Sequence, residues 1–202
     1  MSDQVRGKKK ETRTLPPGQR AIRKLLRWGI DHPAIVKTIP RLEVTTWRLV
    51  IDGEVEKPLR LDWQALLKLP KVESVSDFHC VEGWSVRDCR WEGVRFQTLA
   101  QKVQPRDSAA YVFFECADGY TTSLALPDLL DDDVVLAYRL NGQALEASLG
   151  GPLRLVLPKK YAYKSAMWIT RIRFLATKRL GYWEKRGYSD SADVWTNDRF
   201  RT

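Results

Sequence analysis

Cys80 lies near the middle of residues 74–91, SVSDFHCVEGWSVRDCRW, the stretch around which the rest of the chain is organised. As a thiolate, cysteine is both a nucleophile and a soft metal ligand. The approach to it is apolar and β-branched (Val72, Val75, Phe78), and the turn-prone pair Glu82-Gly83 follows. This pattern predicts a strand that delivers Cys80 to a turn, where its sulfur can face a ligand. By residue type alone a buried structural cysteine is the commoner outcome, because free Cys packs as a small hydrophobe.

The segment His79-Cys80-Val81-Glu82-Gly83-Trp84-Ser85 resembles the one that supplies the molybdenum-ligating cysteine in the sulfite oxidase and methionine-sulfoxide reductase group of molybdopterin enzymes. Four further stretches resemble that group in the same order: 134–145 (VVLAYRLNGQAL), 150–158 (GGPLRLVLP), 161–172 (YAYKSAMWITRI) and 183–188 (WEKRGY). Together they cover the chain from about residue 42 onward. The resemblance implies an α+β fold, a single mixed-sheet domain of the sulfite oxidase molybdopterin-binding type. It also implies a molybdenum-molybdopterin cofactor and two-electron oxygen-atom transfer. Cys80 becomes the metal ligand, and Tyr188 the hydroxyl beside the metal.

The cofactor's phosphate requires fixed donors, and the resemblance places them at Arg154 and at Ser165-Ala166-Met167, with Lys164 adjacent. Arginine suits a phosphate because its planar fork donates two parallel bonds. Cys116 aligns with a further cofactor-touching position. Leu149 stands where relatives carry His or Asn, and Met167 where they commonly carry Lys. Asp31-His32-Pro33 echoes the group's N-terminal cofactor loop.

Sulfite oxidases place two arginines four and five residues after the metal cysteine, where this chain has Trp84 and Ser85. Losing charged donors lowers discrimination for a dianion. The expected substrate is therefore a small S-oxide or N-oxide, with a separate electron-transfer protein as partner. Lys37, Arg87 and Arg186 are the cations that could restore an anion clamp.

The remaining sequence sets the frame. A chain of 202 residues with 44% hydrophobic content can bury one substantial core. Three cysteines with no CxxC pair make neither a disulfide framework nor a zinc site, and suggest a reducing compartment. Neither an export signal nor a transmembrane segment is legible, so a cytoplasmic location is expected. The net charge of +9 favours anionic partners without specifying nucleic acid, which is not expected. The competing class is a basic binding module using Trp84, Trp91, Trp168 and Trp183 as stacking platforms.

Residues 1–20 read as a disordered basic tail, leaving 21–202 as the domain. Ile22, Leu25 and Leu26 share one face of an amphipathic helix expected over Arg20–Trp28. Strands are expected at 47–53 (WRLVIDG), 111–115 (YVFFE), 153–157 (LRLVL) and 168–174 (WITRIRF). A helix is expected over 61–69, capped by Asp62 and stopped by Pro70, and another begins in 127–133 (PDLLDDD).

Overall fold

Strands dictated by period-2 alternation form two sheets in the computed structural model, which describes residues 14–201. In chain order, the first six strands are β1 (Arg20–Ile22), β2 (Arg48–Gly53), β3 (Leu59–Asp62), β4 (Lys71–His79), β5 (Trp84–Arg95) and β6 (Tyr111–Cys116). The remainder are β7 (Thr121–Ala125), β8 (Val135–Leu140), β9 (Gln143–Ala144), β10 (Arg154–Val156) and β11 (Ile169–Leu175). Three short helices connect them: α1 (Trp63–Leu67), α2 (Phe96–Val103) and α3 (Leu126–Leu129). The class is α+β, without a regular βαβ repeat.

One sheet runs β1-β5-β8-β10, with β4 also paired to β5 and β9 to β8; the other runs β3-β2-β11-β6-β7. The main core lies between them, where Leu136, Leu153 and Leu155 of the first sheet belong to the same cluster as Ile51, Phe114 and Ile172 of the second. A second cluster covers the other face of the first sheet and contains Phe78, Cys80, Trp84, Cys89 and Trp91. Alternation decides which residue goes where. Along residues 153–157, Leu153, Leu155 and Leu157 enter the main core, whereas Val156 enters the second cluster.

Several expectations are met and others are revised. Asp62 caps α1 by accepting from the Ala65 amide at 2.8 Å, although residues 59–62 are strand and the helix is shorter than expected. The helix in PDLLDDD is one turn, with Pro127 at its start. The amphipathic helix over Arg20–Trp28 does not form. Its first residues are β1, paired parallel with β5 so that Arg20 lies opposite Trp84 and Ile22 opposite Val86. Leu25 is still buried. The apolar spacing thus marked burial correctly, but the open edge of β5 satisfies backbone groups better than a short helix, whose nucleation is costly.

Much of the expected tail lies outside the described residues. Its end, from Thr14, is described, and Gln19 is hydrogen-bonded to the cysteine loop, so that part of the segment belongs to the fold.

Candidate active site

β4 delivers Cys80 as the sequence pattern requires. The Cys80 amide donates to the Trp84 carbonyl at 2.8 Å, and the Gly83 amide closes the turn onto the Cys80 carbonyl at 3.0 Å. Gly83 adopts φ +91°, a conformation that side chains rarely tolerate, and an added Cβ would sit 3.0 Å from the Gly18 carbonyl oxygen. Two residues distant in sequence hold the loop. Gln19 donates to the Cys80 carbonyl at 3.1 Å and accepts from Ser85 Oγ at 2.8 Å, while Arg199 donates to the Val81 carbonyl at 2.5 Å.

Burial pushes the Cys80 thiol up to about 12, against the opposing pull of hydrogen bonds from the Glu82 and Val81 amides. A thiol in this state becomes a thiolate only when a cation takes the proton's place, whereupon the same amides stabilise the sulfur's charge. His32 and Glu82 lie beside it. The ligating atoms of His32, Cys80 and Glu82 are all within 4.8 Å of one another, a group able to hold a metal ion. His32 Nε2 is 2.9 Å from Glu82 Oε2, its Nδ1 is 2.8 Å from the Pro33 carbonyl, and Trp84 Nε1 donates to the same Glu82 oxygen at 3.2 Å.

Cys80 opens into a cavity of about 500 Å³. Ser165, Met167 and Tyr188, all expected from the sequence, line it together with Cys80. So do Trp28, His32, Asp118, Tyr163 and Trp183; of these His32 had left a signal in its echo of a cofactor loop, and Tyr163 and Trp183 lie within stretches that carry the resemblance. The others arrive from separate loops whose convergence is a property of the fold. Tyr188 is fixed by aromatic contacts, with ring centroids 5.0 Å from Trp183 and 5.4 Å from Tyr163. Burial raises the Asp118 carboxyl, whose Oδ1 accepts from the Tyr120 amide at 3.0 Å.

Other expected residues lie elsewhere. Lys164 does not line the cavity. It is fully buried, with Nζ 2.5 Å from Glu184 Oε1 and 3.0 Å from the Ser123 carbonyl, so it is not a spare donor for a phosphate. Thr122 Oγ1 also donates to Glu184 at 2.7 Å, and this network fixes the turn that carries Ser165. Ala166 is in the main core. Cys116 is buried outside the lining, and its backbone is occupied by Tyr120 and Gly119, so its role is packing.

Arg154 is neither a solvated edge charge nor a lining residue. Its side chain enters the second cluster, with the guanidinium carbon 4.9 Å from the Phe78 ring centroid and 5.5 Å from that of Trp91. Nη1 donates to the Leu149 carbonyl at 2.8 Å, while Nε is buried without a partner. Desolvation pulls this guanidinium down to about 10.

Trp84 and Ser85 are buried as well, and Ser85 Oγ is 2.7 Å from His79 Nδ1. The indoles that face the cavity are Trp28, Trp168 and Trp183. Trp84 and Trp91, being 3% and 0% exposed, have no face to offer a nucleobase, which removes the stacking-platform reading for both. Lys37, Arg87 and Arg186 are likewise absent from the lining; Arg186 lies over the Tyr182 ring at 3.6 Å.

One feature fits a bound molybdopterin: a sulfur ligand at the wall of a cavity large enough for a fused-ring cofactor. The sheets and the cysteine loop therefore define a cofactor-dependent oxidoreductase domain. A family described as the oxidoreductase molybdopterin-binding domain matches residues 36–183, and the chain belongs to that family, as an enzyme of the sulfite oxidase-like type with a molybdenum-molybdopterin cofactor.

The chain is 40% identical to an uncharacterised oxidoreductase of Bacillus subtilis, over 78% of this chain and 80% of that protein. It is 34% identical to a putative protein-methionine-sulfoxide reductase subunit of Azospira oryzae, over 75% of this chain and 57% of the relative. A protein-methionine-sulfoxide reductase catalytic subunit of Campylobacter jejuni is 29% identical over 81% and 60%. The chain thus spans less than two thirds of the latter two relatives. The solved sulfane dehydrogenase SoxCD of Paracoccus pantotrophus shares the fold, with a TM-score of 0.67 over 75% of this chain and 43% of that one at 22% identity. No helix among the described residues is long and apolar enough to cross a membrane.

Proposed function

We propose that the enzyme reduces a small S-oxide by two-electron oxygen-atom transfer, with Cys80 as the protein ligand of the metal and electrons drawn from a separate protein. The balance is R2S=O plus two electrons and two protons giving R2S and water. One observation carries the reading: no lysine or arginine lines the Cys80 cavity among the described residues, whereas the carboxylate of Glu82 and three indoles do. A sulfite dianion would find its charge uncompensated there. A neutral sulfoxide needs no cation and gains from burial against aromatic faces. The names of the methionine-sulfoxide reductase relatives support the same substrate class.

When bound, the cofactor supplies the two-electron exchange and the site to which oxygen is transferred. The protein supplies the rest. Cys80 would ligate the metal through its sulfur, with Ser165 and Met167 in the wall of the same cavity. Arg154 holds the Leu149 carbonyl from outside that lining. Tyr188 would hydrogen-bond the substrate oxygen through its hydroxyl, and Trp28, Trp168 and Trp183 would exclude water.

The test compares kcat/KM for dimethyl sulfoxide with a reduced viologen donor against kcat/KM for sulfite with an artificial acceptor, at fixed ionic strength. The sulfoxide is expected to win. Sulfite ahead by more than about tenfold, or 1.4 kcal/mol, would show that an anion site exists and would overturn the reading.

A further inference from the structure

A second cavity, of about 330 Å³, is lined in part by Leu149, the last residue of the single turn Ala147–Leu149. That turn also holds two residues of the first cavity and so stands between the two. On one side the Ala147 carbonyl accepts from Trp168 Nε1 at 2.8 Å and the Ser148 carbonyl accepts from the Trp28 amide at 2.8 Å, and both indoles line the Cys80 cavity. Leu149 itself lines the second cavity, and its carbonyl is the acceptor for Arg154.

The chemistry of the two cavities is opposite. Four cations, Arg23, Lys24, Arg27 and Arg87, line the second one against the single carboxylate of Glu146. Arg27 is also tied to Asp31 at 2.8 Å, and Arg23 and Lys24 are exposed. Beneath these cations lies an apolar floor that includes Leu25, Val86 and Leu140. An apolar centre inside a charged rim is the anatomy of a protein interface. An excess of positive charge selects an acidic partner and speeds its encounter.

We propose that this cleft docks an acidic electron-donor protein of the flavodoxin kind, which delivers the electrons of turnover across the Ala147–Leu149 wall. The proposal rests on the reading that the enzyme is a reductase fed from outside. Two electrons leave the reduced flavin of the donor, and the S-oxide oxygen departs as water with two protons from solvent. The cleft suits this partner better than the mouth of the Cys80 cavity, where Glu82 repels an acidic surface and no lysine or arginine attracts it.

The experiment uses the molybdenum-loaded protein as wild type, as R23E/K24E, and as K57E/R60E, an equal charge reversal at exposed positions on and beside β3 of the other sheet. An acidic flavodoxin is the probe. Its binding is measured by calorimetry, and its ability to drive dimethyl sulfoxide reduction is measured beside that of reduced methyl viologen. At about 20 mM salt R23E/K24E should weaken flavodoxin binding and flavodoxin-driven turnover at least tenfold, with K57E/R60E within about twofold of wild type. Methyl viologen turnover should be the same in all three. Equal weakening by both variants overturns the proposal, as does a parallel loss of methyl viologen turnover. Wild-type binding no tighter at low salt than at about 500 mM also overturns it. The calorimetry needs no turnover, so absence of viologen-driven sulfoxide reduction in the wild type would overturn the substrate reading alone.

Discussion

At Cys80 the structure supplies a position, a buried sulfur and amide donors, and the consequences of changing it are sharp. Cys80→Ser should abolish sulfoxide reduction and alter the paramagnetic signal of the loaded protein, because the thiol at the cavity wall is gone. Cys89→Ser should retain wild-type turnover and signal, since that thiol is buried in the second cluster with its sulfur 3.7 Å from the Val86 carbonyl. Arg154 carries a different prediction. Its cation is buried on aromatic faces and paired with no carboxylate, an arrangement whose desolvation cost an apolar residue of similar length avoids. Arg154→Met should therefore melt, cofactor-free, at the wild-type temperature or above it. Loaded in a cofactor-competent host, it should hold as much molybdenum as wild type, because the guanidinium lies outside the lining of the Cys80 cavity. A clear loss of molybdenum in the mutant would place Arg154 among the cofactor's contacts.

Two ion pairs show how elements are joined, and they differ in depth. Lys164 and Glu184 are 0% and 1% exposed, so removing either partner strands a charge in the core. Lys164→Met or Glu184→Gln should each cost about 3–5 kcal/mol in urea unfolding, and Lys164→Met/Glu184→Leu far less than the sum. Asp52 on β2 faces Arg171 and Arg173 on the parallel neighbour β11 nearer the surface. Burial raises its carboxyl, but the Arg171 hydrogen bond and the charges of Arg171 and Arg173 outweigh burial and hold it below the ordinary 3.8. A depressed carboxylate stabilises the fold above its unfolded value and loses that contribution as pH falls through the folded one. Wild-type stability should thus decline below about pH 4 with a component, about 0.5–1 kcal/mol, that Asp52→Asn lacks. Sequence showed the elements that alternation or a cap specifies, such as β4 leading to Cys80, β10, β11 and the Asp62 cap. It did not show β1, because helical spacing at Ile22, Leu25 and Leu26 says nothing of the open edge that β5 provides. It could not show that Arg154 enters the second cluster, since the motif that placed it at a phosphate says nothing of Phe78 and Trp91, which cover its guanidinium. The site was half legible for the same reason: Cys80, Ser165, Met167 and Tyr188 lie in recognisable motifs, whereas Trp28 and Asp118 reach the cavity only through tertiary packing.

At the scale of the whole molecule, β5 ties the first sheet together, pairing with β1, β4 and β8 along its length. At Gly93 a Cβ would lie 2.1 Å from the Leu136 carbonyl oxygen, so Gly93→Ala should force β5 and β8 apart. Its soluble yield and melting temperature should both fall well below wild type, and a variant with wild-type melting would show that the close approach is not required. The grip of Gln19 and Arg199 on the cysteine loop has a consequence in time. A ribosome adding about 5–20 residues per second incorporates Cys80 roughly 6–24 s before Arg199 is made. During that interval the thiol belongs to a nascent chain whose turn lacks its last restraint, and the part of the cavity wall drawn from residues 162–188 is not complete. Metal loading is therefore an event of the finished polypeptide, and a stalled or clipped product carries the cysteine but has nowhere to seat what the cysteine is meant to hold.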